Sequence, residues 1–247
     1  MKKTSFCVRI SKRASKALLC AAVLVGTAFA SSPQWFRDAA QAKVPTYDSE
    51  TNAVVLLDEA IVSVSDSGEV KTTYRVATKI LNAHGREYAN VHISFDNETK
   101  VSNVHAWSIP PSGKEYELKE KDAYEFAAFD GDLYSDHRLK RIELPSDPGS
   151  IVGYEYEQKG RPRVFTDIWY YQKHEIPVIT SRFTLNLPPT WELETFWVNR
   201  PMLEAVKNGN TYIWEQQNIA AIKDEDSMPD WRAVAPRMVL AFYPRSG

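Results

Sequence analysis

The chain has 247 residues, 43% hydrophobic and 12% aromatic, with 30 basic against 32 acidic side chains and two cysteines. Six of the basic residues and none of the acids lie in the first thirty positions, so beyond Ala30 there are 24 basic against 32 acidic residues, a net of −8. That balance argues against nucleic acid and anionic lipid as partners. Because Cys7 and Cys20 both precede Ala30, the remainder offers no disulfide, thiolate nucleophile or cysteine metal ligand.

Residues 1–30 read as a secretory signal peptide. Lys2, Lys3, Arg9, Lys12, Arg13 and Lys16 form a basic n-region, residues 17–28 an apolar run, and Ala28 and Ala30 the small residues flanking a cleavage site. The apolar run is shorter than the roughly 20 residues of a membrane span. A lipoprotein signal acylated on Cys20 is the rival, opposed by the bulk of Leu19 just before it. The expectation is export to the periplasm or medium, with no integral membrane span after cleavage. Residues 31–49 form a polar, weakly docked or mobile lead-in, with a short helix over 35–43 starting near Pro33.

From residue 50 to 247 the pattern is that of strands and turns. Residues 54–65 and 69–82 flank Asp66-Ser67-Gly68, where Gly supplies a positive φ, and predict a hairpin. Ala89, Val91, Ile93 and Phe95 alternate with polar residues, and 100–108 turns at Pro110-Pro111-Ser112-Gly113 into a short return strand. Residues 119–137 predict a long acidic and aromatic loop with a strand fragment. The segment 134–157 reads as strand, turn at Ser146-Asp147-Pro148-Gly149, strand, with Ile142 and Leu144 inward and Val152, Tyr154 and Tyr156 on one face. Strands over 163–172, 178–187 and 191–198 follow. Asn208-Gly209-Asn210 then turns into 211–217, and 238–243 makes a last strand. Together these give about 12–14 strands, hence an all-β fold, a large antiparallel β-sandwich. There is no long helical periodicity and no βαβ alternation.

The order of landmarks carries a resemblance. It runs from Tyr74-Arg75-Val76-Ala77-Thr78-Lys79-Ile80-Leu81 through Pro110-Pro111-Ser112-Gly113-Lys114 to Tyr134-Ser135-Asp136-His137-Arg138. Pro145, Gly149-Ser150-Ile151-Val152-Gly153-Tyr154-Glu155-Tyr156, Ile176-Pro177-Val178, Leu187-Pro188 and Asp226-Ser227-Met228-Pro229 follow. Over residues 50–243 the chain resembles the bacterial domain of unknown function 3857, which often precedes a transglutaminase-like domain in exported proteins. The resemblance implies an antiparallel β-sandwich, a non-catalytic module and no established active site. The sequence departs from the common arrangement by ending at Gly247 with no transglutaminase-like domain after it.

No nucleophile elbow, Walker loop, dinucleotide fingerprint or His-Glu-x-x-His is present. The histidines, His84, His92, His105, His137 and His174, are too far apart in sequence for a locally encoded zinc pair, although His92 and His105 could face one another across adjacent strands. Asp122, Glu125, Asp130, Asp132 and Asp136 form the densest acidic cluster. It suits a solvated loop, a calcium ligand set without EF-hand spacing, or the carboxylate pair of a glycoside hydrolase. Asp136 and Arg138 read as a structural pair, or Arg138 as a fork for a ligand carboxylate.

The candidate binding surface is Phe129, Asp132, Tyr134, Asp136 and Arg138. The leading expectation is an exported, non-enzymatic module without cofactor or metal. It would bind or position a transglutaminase-like or other envelope protein, a peptide or a glycan. The alternatives are a carboxylate-based glycoside hydrolase, a structural envelope component, and a fragment whose catalytic half lies elsewhere.

Overall fold

The computed structural model describes residues 32–127 and 136–245, all within the compact unit Ser31–Gly247. The expected leader, residues 1–30, lies outside the described residues. In chain order the elements are α1 (Gln34–Ala40), β1 (Ala53–Val64), β2 (Val70–Ile80), a 3-10 segment (Ala83–Ala89), β3 (Asn90–Phe95), β4 (Thr99–Ile109) and β5 (Tyr116–Lys119). A second 3-10 turn (Glu120–Asp122) leads to β6 (Tyr124–Ala127), β7 (Arg138–Glu143), β8 (Ile151–Gly160), β9 (Thr166–Trp169) and β10 (Val178–Asn186). The chain ends with β11 (Trp191–Val198), β12 (Val206–Asn208), β13 (Thr211–Ile219), α2 (Trp231–Val234) and β14 (Arg237–Pro244). The all-β fold expected from the alternation is present.

Eight strands form one long sheet in the order β12-β13-β10-β1-β2-β8-β4-β5, and two three-stranded sheets, β3-β7-β6 and β11-β14-β9, accompany it. Ala53, Val55, Ile80, Val104 and Val152 of the long sheet pack with Val91, Ile93 and Ile142 of the first small sheet. Val62, Phe183, Leu185 and Trp214 pack with Trp191, Met238, Leu240 and Phe242 of the second. Both small sheets thus use the same face of the long one. A bulge in β1 between Val55 and Leu57 resets the alternation. Val55 therefore serves the first core and Val62 the second, while Leu56 and Leu57 face the other side.

That other side is covered by α1. Phe36 is fully buried, and a Cβ on Gly153 of β8 would lie 2.4 Å from its ring, so only glycine lets the helix sit this close to the sheet. Trp35 and Trp107 meet edge to face at 5.8 Å. The start of the lead-in is therefore anchored rather than mobile, and its helix begins at Gln34, after the fixed φ of Pro33.

Three expectations about pairing are corrected. Residues 138–143 and 151–160 do not form a hairpin: β7 pairs with β3 and β6, and β8 with β2 and β4. The turn at Gly149 (φ +91) hands the chain from one sheet to the other, because the Gly149 amide donates to Ile80 O and the Ile80 amide to Ser150 O. The Asn208-Gly209-Asn210 turn joins β12 to β13, while β11 pairs with β14 in another sheet. The fold is also not wholly antiparallel, since β1 and β10 run parallel with Ala60 opposite Phe183. More than a hundred residues separate them, the long crossover a parallel pair needs.

Candidate functional site

β3 and β9 are edge strands of the two small sheets, and β3 borders an opening above β1, β2 and β8. A cleft of about 690 Å³ opens there. Its floor is Val55 and Asp58 of β1, Val76 and Thr78 of β2 and Tyr154 of β8. Tyr88 and His92 bound one side, and the segment 173–176 with Trp231 of α2 bounds the other. A smaller cavity of about 190 Å³ adjoins it along β9, lined by Tyr74, Asp167, Trp169 and Tyr170. Asp58 and Lys173 line both spaces, and their ion pair (2.7 Å) divides them. Asp58 also accepts from Ser181 Oγ at 3.4 Å, and that hydroxyl takes the indole N–H of Trp169 at 3.0 Å.

Tyr74, Tyr156 and Tyr154 stack in a row on this face of the long sheet, with ring centroids 4.9 and 6.2 Å apart; Tyr74 lines the smaller space and Tyr154 the larger. Alternation on β2 and β8 brings them to one face, as the sequence pattern implies. Burial pushes all three phenols up, so they stay neutral. Burial, with Glu175 and Glu87 nearby, pushes Tyr88 up to about 12. Burial and then the Arg141 charge bring His92 below the usual imidazole value. Lys173 is the one lysine or arginine among the residues lining the large cleft, and Asp58 neutralises it. With Glu87 and Glu175 on the rim, the cleft is acidic and aromatic.

At one end of the cleft three metal-ligating side chains converge. His174 Nε2 lies 2.7 Å from Asp224 Oδ1, and ligand atoms of His174, Glu175 and Asp224 all fall within 4.8 Å of one another. No local spacing announces this cluster. It arises because residue 174 bridges to Ile222 in parallel, fifty residues from His174 to Asp224 along the chain.

The surface singled out in the sequence lies elsewhere. Phe129, Asp132 and Tyr134 lie outside the described residues, as does Asp130. Asp136 and Arg138 are described, line neither space, and have separate partners. Asp136 accepts from the Asn97 amide at 3.4 Å, and Arg138 donates to Glu125 at 2.6 Å. The Asp136–Arg138 pairing is thereby corrected: β6 runs beside β7, and Arg138 takes Glu125 as its partner. His92 and His105 belong to different sheets. His105 instead meets Glu117 at 3.1 Å and stacks on Trp107. Asp122 caps the Lys119 amide at 2.9 Å. Tyr124 and Phe126 are exposed on β6.

A family model for a domain of unknown function with solved structure, DUF3857, matches residues 66–223. Among solved structures, a protein of Parabacteroides distasonis described as a "putative protease" aligns with a TM-score of 0.68 at 15% identity, over 79% of this chain and 41% of that one. At that identity the likeness shows the fold alone. Yeast LTA4 hydrolase in complex with bestatin aligns at a TM-score of 0.39 and 12% identity, over 85% of this chain and 33% of that one. The M1 zinc metallopeptidase of Deinococcus radiodurans aligns at 0.36 and 9%, over 77% and 42%. These last two carry no weight for fold or function. The chain spans less than half the length of each of these structures. No curated protein matches the sequence.

Proposed function

The chain belongs to the DUF3857 family of domains of unknown function, and from that premise we propose that it is an exported, non-catalytic recognition module. Its ligand is an extended, cationic polypeptide segment of an envelope protein, bound in the cleft between the two small sheets. The observation that carries this reading is a cleft with Tyr154 on its floor and Glu87 and Glu175 on its rim, bordered by the edge strand β3 and adjoined by a smaller space along the edge strand β9. An added strand pairs its backbone with β3 or β9 and gains main-chain hydrogen bonds, while alternate side chains reach the tyrosine row. Glu87 and Glu175 favour lysine or arginine in the ligand over acidic residues. A transglutaminase-like protein acting in trans fits the partner class that the resemblance implies.

The hydrolase alternative has less support among the described acids of the 122–136 segment. Asp122 is spent on a backbone amide, and Glu125 is paired with both Arg138 and Lys140.

The test is fluorescence anisotropy with short β-forming peptides that alternate valine with either lysine or glutamate, followed by amide exchange. Lysine peptides are expected to bind, with protection along residues 90–95 or 166–169, and Glu87→Lys is expected to weaken them at least about tenfold. Equal binding of the glutamate peptides, no binding of either, or protection confined to other strands would remove the reading.

A further inference from the structure

We propose that His174, Glu175 and Asp224 bind a first-row transition dication of the Zn²⁺ type at the end of the cleft. The donor set of one imidazole nitrogen and two carboxylates is already gathered, all three ligand atoms lying within 4.8 Å of one another. A tetrahedral ion with bonds of roughly 2.0–2.2 Å holds its donors about 3.3–3.6 Å apart. The His174–Asp224 contact, 2.7 Å in the structure, has to open slightly to admit it. Both carboxylates belong to exposed residues, so this adjustment is side-chain rotation without a change in the sheet.

Each donor is positioned by a separate feature. The Ile222 amide donates to Lys173 O at 2.9 Å and the Glu175 amide to Ile222 O at 2.8 Å, which fixes the two segments side by side just before Asp224. The His174 ring lies parallel to that of Trp231, at 8° and 6.0 Å, which sets its plane. Consecutive side chains on extended backbone point to opposite sides. Glu175 escapes that rule because its φ is +64, in the left-handed region, and its carboxylate turns to the side of His174. Tyr88 Oη donates to Glu175 Oε2 at 3.4 Å and supports it from outside the donor set. The two cations adjacent in sequence are each paired elsewhere, Lys173 with Asp58 at 2.7 Å and Lys223 with Asp48 at 3.6 Å.

The chemistry selects the ion class. Imidazole with carboxylates and no thiolate suits Zn²⁺ and its neighbours, whereas Ca²⁺ seeks six to eight oxygens and Mg²⁺ a hydrated octahedron. Three protein donors leave a fourth position for water or for a group on a bound ligand. Glu175 is shared with the rim of the proposed peptide cleft, but the metal needs nothing bound in the rest of it.

Isothermal titration of tag-free protein with ZnCl₂ at neutral pH tests it, with MgCl₂ as contrast. One saturable Zn²⁺ per chain is expected, with no comparable Mg²⁺ binding. Asp224→Asn and Glu175→Gln should each weaken it at least about tenfold, and His174→Ala should abolish it while His105→Ala leaves it unchanged. Asp224 is exposed, so its variant reports on binding even if His174→Ala disturbs the fold. Absence of saturable Zn²⁺ binding, or binding that survives all three substitutions, would overturn the proposal and leave His174–Asp224 a plain hydrogen-bonded pair.

Discussion

Glu59 and Arg182 stand opposite one another on β1 and β10, 2.9 Å apart, with the Glu59 side chain only 7% exposed. They are the centre of a ladder of alternating charge. Arg182 also donates to Glu215 of β13 at 2.7 Å. On the other flank Arg75 of β2 donates to Glu59 at 3.3 Å and to Glu155 of β8 at 2.6 Å. These strands are consecutive in the sheet, and each charged pair sits in direct register. Opposite charges directly across a strand pair favour that register, and a one-residue slip would set each of them against a residue meant for the other face.

Glu59→Gln removes the charge that two guanidiniums share while keeping shape. The outer carboxylates still satisfy each arginine in part, so the expected loss is about 2–3 kcal/mol rather than the larger cost of stranding a wholly unpaired buried charge. Urea unfolding checks this: the midpoint should fall with the slope unchanged.

The ladder also makes the fold acid-sensitive. Burial pushes the Glu215 carboxyl up, but hydrogen bonds from Arg182 and Gln217 and the Arg182 charge outweigh it, and the net shift is downward. The unfolded chain then binds the proton more readily. The contribution of Glu215 is therefore present above its ordinary value, about 4.3, and is lost as pH falls through the folded value. Glu215→Gln should shrink the difference in melting temperature between neutral and acid pH; an unchanged difference would show that Glu215 carries none of it.

What the sequence made legible was local. The turn at Asp66-Ser67-Gly68 joins β1 to β2 as its chemistry requires, with Gly68 at φ +78, and the inward residues Ile142, Leu144 and Val152 are buried. Alternation tells which side chains face a core, but two strands with the same alternation are equally good neighbours for a third. Hence β7 and β8 looked like a hairpin, although the bonds between Gly149, Ser150 and Ile80 place β8 beside β2. The cleft was hidden for the same reason. His174 and Asp224 meet only because residues 174 and 222 bridge, and Glu175 joins them through a left-handed backbone that no glycine marks.

The close approach of α1 predicts a steric effect from one methyl group. Gly153→Ala would set its Cβ against the Phe36 ring and force the helix away, at an expected cost of about 1–3 kcal/mol. Phe36→Ala should cost about 3–5 kcal/mol by leaving the cavity instead. Limited proteolysis should then cut both variants within residues 32–52 faster than the parent. Equal rates would mean that the lead-in is held by other contacts.

Asp167 predicts an opposite pH dependence on the far side of the sheet. Burial pushes its carboxyl up to about 6 against the hydrogen bond from the Ile168 amide, which acts to lower it. Here the folded chain binds the proton more readily than the unfolded one, so stability falls as pH rises from about 4 to about 6 and stays reduced above that. Asp167→Asn keeps an acceptor for the Ile168 amide and carries no charge. It should be more stable than the parent by about 1–2 kcal/mol at about pH 8, a value reduced from the full shift for residual solvent contact. Near pH 4, where the parent side chain is also neutral, the two should unfold at the same urea concentration. A gap of equal size at both values would trace the gain to packing in the cavity beside Tyr74 and Tyr170, and not to the charge.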